Sequence, residues 1–195
     1  KLNLNNVALN NQNNAGILYQ KDVSGDLSGN IVGSAGAALE YGWLTNTDRE
    51  FTGLDLSGNA IGIETAGSGD LEIFDSDFDN TVDFKITGSS TVDFVDGTVD
   101  ESTVSVSGNG IFKRARSLDA TVTADGNPVV EDTEVYLLDS SYKMTGSGTT
   151  DSSGVAQGLR YYTALVDKVG LTNPSLTGYR LGVVAQVGSY SSTVG

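Results

Sequence analysis

The sequence predicts an all-β chain: a short right-handed parallel β-helix followed by an antiparallel β-sandwich. Short apolar alternations recur through the first half, broken by Gly, Asn, Asp and Ser. The 195 residues include 25 glycines but only two prolines, which suits many tight corners. Charge and texture both change near residue 113: residues 1–113 hold 17 acids against 5 bases, residues 114–195 only 8 against 6. The expected domains are therefore 1–113, the β-helix repeats, and 114–195, the sandwich.

The first domain shows an imperfect repeat of apolar–x–apolar, polar turn, apolar. It occurs at Leu2-Asn3-Leu4, Leu54-Asp55-Leu56, Leu71-Glu72-Ile73 and Val92-Asp93-Phe94. The last three start 17 and 21 residues apart, and each precedes a second alternation: Ile61-Gly62-Ile63, Val82–Ile86 and Val104-Ser105-Val106. Ser-Gly-Asn returns at residues 28–30, 57–59 and 107–109. Strands this short cannot bury enough surface alone, but stacked coils close a continuous core. The expectation is about five coils of roughly 17–23 residues, with Asn and Gly supplying left-handed corners. An antiparallel sandwich is the alternative for this half. It would need more hairpin dipeptides than Asp96-Gly97, Asn109-Gly110 and Asp125-Gly126.

In the second domain Leu118–Thr123 alternates, Asp125–Pro128 turns, Glu134–Leu138 is a strand and Thr149–Gly154 turns again. Tyr179–Ala185 is a late strand. Residues 159–169 fit either a helical stripe or a strand, and strand is preferred.

Composition excludes whole classes of chemistry. With no histidine and no cysteine there is no Ser-His-Asp triad, no Cys-His pair, no histidine-ligated zinc or haem and no disulfide. A net charge of −14 opposes nucleic-acid binding. No apolar run approaches the roughly 20 residues of a membrane helix, so no membrane insertion by this segment is expected. The first residue is lysine, which points to a removed leader or a segment of a larger chain.

Residues 1–113 resemble the right-handed β-helix repeats of pectin-lyase-like and microbial surface proteins. The turns Asp125-Gly126-Asn127-Pro128-Val129 and Thr149–Gly154 and the strand Tyr179–Ala185 resemble carboxypeptidase-regulatory-like or bacterial Ig-like modules. The two resemblances together imply an extracellular, cell-surface location and a structural or adhesive role.

The sharpest chemical feature is Asp75-Ser76-Asp77-Phe78-Asp79-Asn80 with Asp83. Asp75, Asp77, Asp79 and Asp83 are the candidate metal ligands, and calcium is the cofactor such an oxygen set would take. The alternative is a solvated corner. Asn80 replaces the EF-hand turn glycine, and Ile86 stands where its last carboxylate belongs. Asp55, Glu72, Asp75, Asp77, Asp93 and Asp96 on one stacked side would suit a polysaccharide lyase or hydrolase. Cations to bind uronates are few there, so no enzyme is expected. Tyr41 with Trp43, and Tyr161-Tyr162, are sugar platforms or packing residues. The only basic cluster, Lys113-Arg114-Ala115-Arg116, is either an acid clamp or a solvated linker. Seven Asn fall within the first 14 residues. They can form stacked Asn ladders, or an ordinary turn-rich coil.

A first coil starting at Leu2 with no visible cap exposes strand edges. The expected function is thus a structural or assembly segment of a surface layer, stalk or filament. Its partners are copies of itself or neighbouring segments of a larger chain, joined through β-edges. A polysaccharide-binding adhesin module, calcium-dependent or not, is the alternative.

Overall fold

The computed structural model describes residues 4–10, 16–19, 27–41, 48–129, 131–173 and 179–184. It is all-β, and its one described helical element is a 3-10 turn at Glu101–Thr103. A parallel β-solenoid of about four turns occupies residues 29–115. The chain opens with β1 (Leu4–Asn10) and β2 (Ile17–Tyr19). The next coil is β3 (Leu27–Val32), β4 (Ala37–Tyr41) and β5 (Arg49–Thr52). Then come β6 (Leu54–Ser57), β7 (Ile61–Thr65) and β8 (Leu71–Phe74). A further coil is β9 (Asp77–Asp79), β10 (Val82–Ile86) and β11 (Thr91–Val95), and the last contains β12 (Val104–Val106) and β13 (Ile111–Thr121).

Three sheets result: β1-β3-β6-β9 (sheet A), β2-β4-β7-β10-β12 (sheet B) and β5-β8-β11-β13 (sheet C). Their registers measure the coil. Leu54 lies beside Gly29 and Asp77 beside Asp55, steps of 25 and 22 residues. In sheet C the steps from Arg49 to Leu71, Val92 from Leu71, and Ile111 from Thr91 are 22, 21 and 20. The first step in sheet A, Val7 to Gly29, is 22 residues; from the following step of 25 onward the coils shorten, and the 17-residue spacing is not a coil length. Leu54-Asp55-Leu56 belongs to sheet A, whereas Leu71-Glu72-Ile73 and Val92-Asp93-Phe94 belong to sheet C. Alternation is the same in every sheet, so the pattern cannot tell which face a strand occupies. The second alternations do stack, as β7, β10 and β12 of sheet B. The three Ser-Gly-Asn copies fall at three different places: inside β3, between β6 and β7, and after β12.

The core is a set of vertical rows. Ile31, Leu56 and Phe78 stack from sheet A, Leu39, Ile63, Phe84 and Val104 from sheet B, and Phe51, Ile73 and Phe94 from sheet C. Phe84 is at the centre, with ring centroids 4.8 Å from Phe78, 4.9 Å from Phe112 and 5.8 Å from Phe94. The Phe51–Ile73–Phe94 row ends in Arg114, whose guanidinium pairs with the Glu101 carboxylate. An ion pair thus closes the apolar column on its last coil. One of the three basic residues of the cluster is thereby half-buried, because Arg114 follows buried Phe112 at the strand period of two.

Corners are made differently from expectation. Gly53, Asp75 and Asp96 hold equivalent places after β5, β8 and β11, with φ of 68°, 47° and 57°. Glycine and aspartate supply the left-handed backbone; among the described residues no asparagine does. Asn59 and Asn80 instead form a side-chain ladder at the corner from sheet A to sheet B. Asn59 Nδ2 donates to Ile31 O at 2.9 Å, and its Oδ1 accepts from Ser34 N at 2.8 Å. The N-terminal asparagines at 3, 11, 13 and 14 lie outside the described residues, and Asn5, Asn6 and Asn10 fall in β1.

The chain divides into two units, Lys1–Ala115 with Tyr162–Pro174, and Arg116–Tyr161 with Ser175–Gly195. In the second, β14 (Thr123–Ala124) and β15 (Asn127–Pro128) form a two-stranded ribbon. Their turn, Asp125-Gly126, has φ of 51° and 80°, the two left-handed residues of a primed hairpin turn. β16 (Glu134–Leu138), β17 (Met144–Thr149) and β20 (Arg180–Val184) make an antiparallel sheet with β16 central. A small core of Ala120, Val135, Ala156 and Leu159 lies in this unit. β18 (Val155–Asp167) confirms residues 159–167 as strand. The described strands fall short of the Ig-like sandwich expected for 114–195: only one three-stranded sheet and a ribbon are complete among them.

Candidate functional site

The four candidate metal ligands are not brought together. Asp75 is an exposed corner residue. Asp77 and Asp79 point outward on either side of buried Phe78, as strand alternation requires. Asp83 is 1% exposed and tucked under the Asp100–Thr103 turn. Its carboxylate accepts from Asn80 N at 2.9 Å, Asn80 Nδ2 at 3.0 Å and Asp100 N at 3.2 Å. Those N–H groups take three of the carboxylate's roughly four lone-pair sites. Among the described residues no group of three or more acids is placed to hold a metal.

The acids expected on one side fall on three separate lines. Asp55 and Asp77 are partners in sheet A, Glu72 and Asp93 in sheet C, and Asp75 and Asp96 share a corner. Around the sheet C pair lies a shallow groove of about 470 Å³. The outward row Glu50, Glu72, Asp93, Lys113 forms its floor. Along one side, Asp48 Oδ1 accepts from Asp70 N at 2.9 Å and Asp70 Oδ1 from Thr91 N at 2.6 Å. These carboxylates therefore tie one coil to the next. Lys113 closes the row, 3.5 Å from Asp93 and 5.4 Å above the Tyr162 ring centroid.

Of the proposed sugar platforms, Tyr41 is fully buried and Trp43 lies outside the described residues. Tyr161 packs edge-on to Tyr179 at 6.0 Å. A smaller groove of about 240 Å³ is lined by Glu134, Tyr136 and Ser147–Thr149. There the Tyr136 hydroxyl donates to Glu134 at 2.6 Å, which raises the phenol's pKa above its ordinary value.

The feature missed in the sequence is the end of sheet C. Beyond β13 the order continues through β18 to β19 (Gly170–Thr172), the last strand of that sheet among the described residues. β18 and β19 are antiparallel, with Val166 beside Leu171 and Asp167 beside Gly170. Asp167 Oδ1 accepts from Val169 N at 2.7 Å and Gly170 N at 3.2 Å, which sets the turn. Val166 belongs to the solenoid core, yet Leu171 is 49% and Val169 89% exposed. Among the residues whose exposure is described, the exposed large apolar side chains are Tyr142, Met144, Val169, Leu171 and Leu181, all after position 141. The signal was present: Asp167-Lys168-Val169-Gly170 is an Asx-initiated turn followed by an apolar residue.

No family model, curated protein or solved structure matches this chain. Among the described residues no helix is long and apolar enough to cross a membrane.

Proposed function

We propose that the chain is a structural, assembly-forming segment of an extracellular surface layer, stalk or filament, joined to its neighbours through β-sheet edges. One observation carries the reading. Among the residues whose exposure is described, the large exposed apolar side chains of the first unit, Val169 and Leu171, gather on the β18–β19 hairpin at a sheet edge. An edge strand with an exposed leucine and no charge of its own is a template for pairing. The resemblance of both halves to surface-protein modules supports the extracellular placement, and we read the second unit as the Ig-like module of that resemblance.

The test is a concentration series of the intact chain by sedimentation velocity. The expected result is a weight-average mass that rises with concentration. A 20.3 kDa species unchanged up to roughly millimolar protein, where even small interfaces associate, overturns the reading.

A further inference from the structure

We infer that β19 is a self-complementary edge, at which two copies pair antiparallel about a two-fold axis through Leu171. The inference rests on the assembly reading above and names the partner at that edge: a second copy of this chain.

The occupant follows from three features of the hairpin. Its polarity comes first. Residues 168–173 contain one lysine and no acid, in a chain whose net charge is −14. A second copy approaching here meets no carboxylate across the new strand pair. In a two-fold register centred on residue 171, each Lys168 is displaced from its counterpart by six residues along the strands, roughly 20 Å, so the two lysines are kept apart. Lys168 is also held aside, with its Nζ donating to Asn109 Oδ1 at 3.1 Å.

The second feature is the direction of Leu171. Cross-strand neighbours share a face, so Leu171 lies on the same side of the sheet as Val166, which is 5% exposed within the core. That apolar face therefore runs past the last coil and stops at a leucine 49% exposed. Two-fold pairing sets each Leu171 directly beside the other, on that face, and each covers its mate.

Third, beyond β13 the stack does not grow in sheet C by another parallel coil, because β18 occupies the edge of β13. At this end of sheet C the terminal strand among the described residues is β19. An antiparallel two-fold pairing there is isologous and closes as a dimer. With three residues to a side, the pairing is weak and concentration-dependent.

The chain has no cysteine, so single cysteines report the register directly. Directly opposed residues of an antiparallel pair have Cα atoms about 4.5–5.5 Å apart, within disulfide reach. Leu171→Cys is therefore expected to form a dimeric disulfide under mild oxidation. Val169→Cys is the control: residue 169 faces Asn173 of the other copy, and its own counterpart is displaced by four residues, roughly 13 Å. Both positions are exposed, and circular dichroism checks that each variant is folded. The expected result is cross-linking at least about tenfold faster for the 171 variant, reflecting the local concentration of a formed pair. Equal or reversed rates, with the unmodified chain still self-associating, overturn the β19 pairing and leave assembly through another edge. A monomeric unmodified chain with equal rates overturns both.

Discussion

Asn59 and Asn80, at the same corner of successive coils, are joined side chain to side chain: Asn59 Nδ2 donates to Asn80 Oδ1 at 2.8 Å. Asn80 Oδ1 also accepts from Asn59 N at 3.1 Å, while Asn80 Nδ2 donates to Leu56 O at 2.7 Å. With Asp83 beneath them, the two amides connect three coils through groups that have little access to water. Asn80→Ala removes a partner from each of these groups. It is expected to cost about 3 kcal/mol, since stranding buried polar groups costs about 1–3 kcal/mol each. Urea unfolding checks it, with a lower midpoint at unchanged slope.

Phe84 contacts the rings of Phe78, Phe94 and Phe112, and it is fully buried. Phe84→Ala leaves a hole between three coils that strands bonded above and below cannot fill. The expected loss is about 3–5 kcal/mol. Phe84→Leu should recover most of it, and thermal unfolding of the two variants side by side makes the comparison.

Two glycines that look alike in sequence should behave in opposite ways. A Cβ on Gly88 would lie 2.1 Å from Gly67 O, so Gly88→Ala forces two coils apart and is expected to cost about 2–4 kcal/mol. Around Gly53 the space is open, and its φ of 68° matches that of the aspartates at the same corner in the next two coils. Gly53→Asp should therefore stay within about 1 kcal/mol of the parent chain. A denaturation midpoint for each variant decides it.

Asp100 caps the 3-10 turn, its carboxylate accepting from Ser102 N at 2.9 Å. Hydrogen bonds from the side chain and then the backbone of Ser102 hold its pKa below the ordinary 3.8. A depressed folded-state pKa stabilises the fold above the ordinary value, and the contribution fades as pH falls through the lower one. The Asp100 carboxyl carbon should accordingly titrate below 3.8 by NMR. In Asp100→Asn the Ser102 amide should lose its acid-range shift change.

Much of the architecture was legible in the chain. Period-two alternation, glycine-rich turns and the stacking of Ile61–Ile63, Val82–Ile86 and Val104–Val106 identified a solenoid, and Asp125-Gly126 identified a hairpin. Most coils fall within the expected length, but its 17-residue end came from pairing Leu54–Leu56 with Leu71–Ile73, which carry the same pattern on different sheets. The acidic loop was less legible. The spacing of Asp75, Asp77, Asp79 and Asp83 resembles a cation loop, but spacing does not reveal that a corner lies at Asp75 and that Asp83 already binds three amides.

The amino-acid order by itself determined the all-β class, the excluded chemistries and the need for stacked coils. Composition and strand period are local properties, and they survive without knowledge of contacts. Only the tertiary structure decided which strands share a sheet, where the acids separate into three lines, and that sheet C ends in β19. Those outcomes depend on pairings between residues about twenty positions apart or more. Period-two patterns are satisfied equally well by several such registers, and packing of the phenylalanine column, the asparagine ladder and the tight glycine corners selects one.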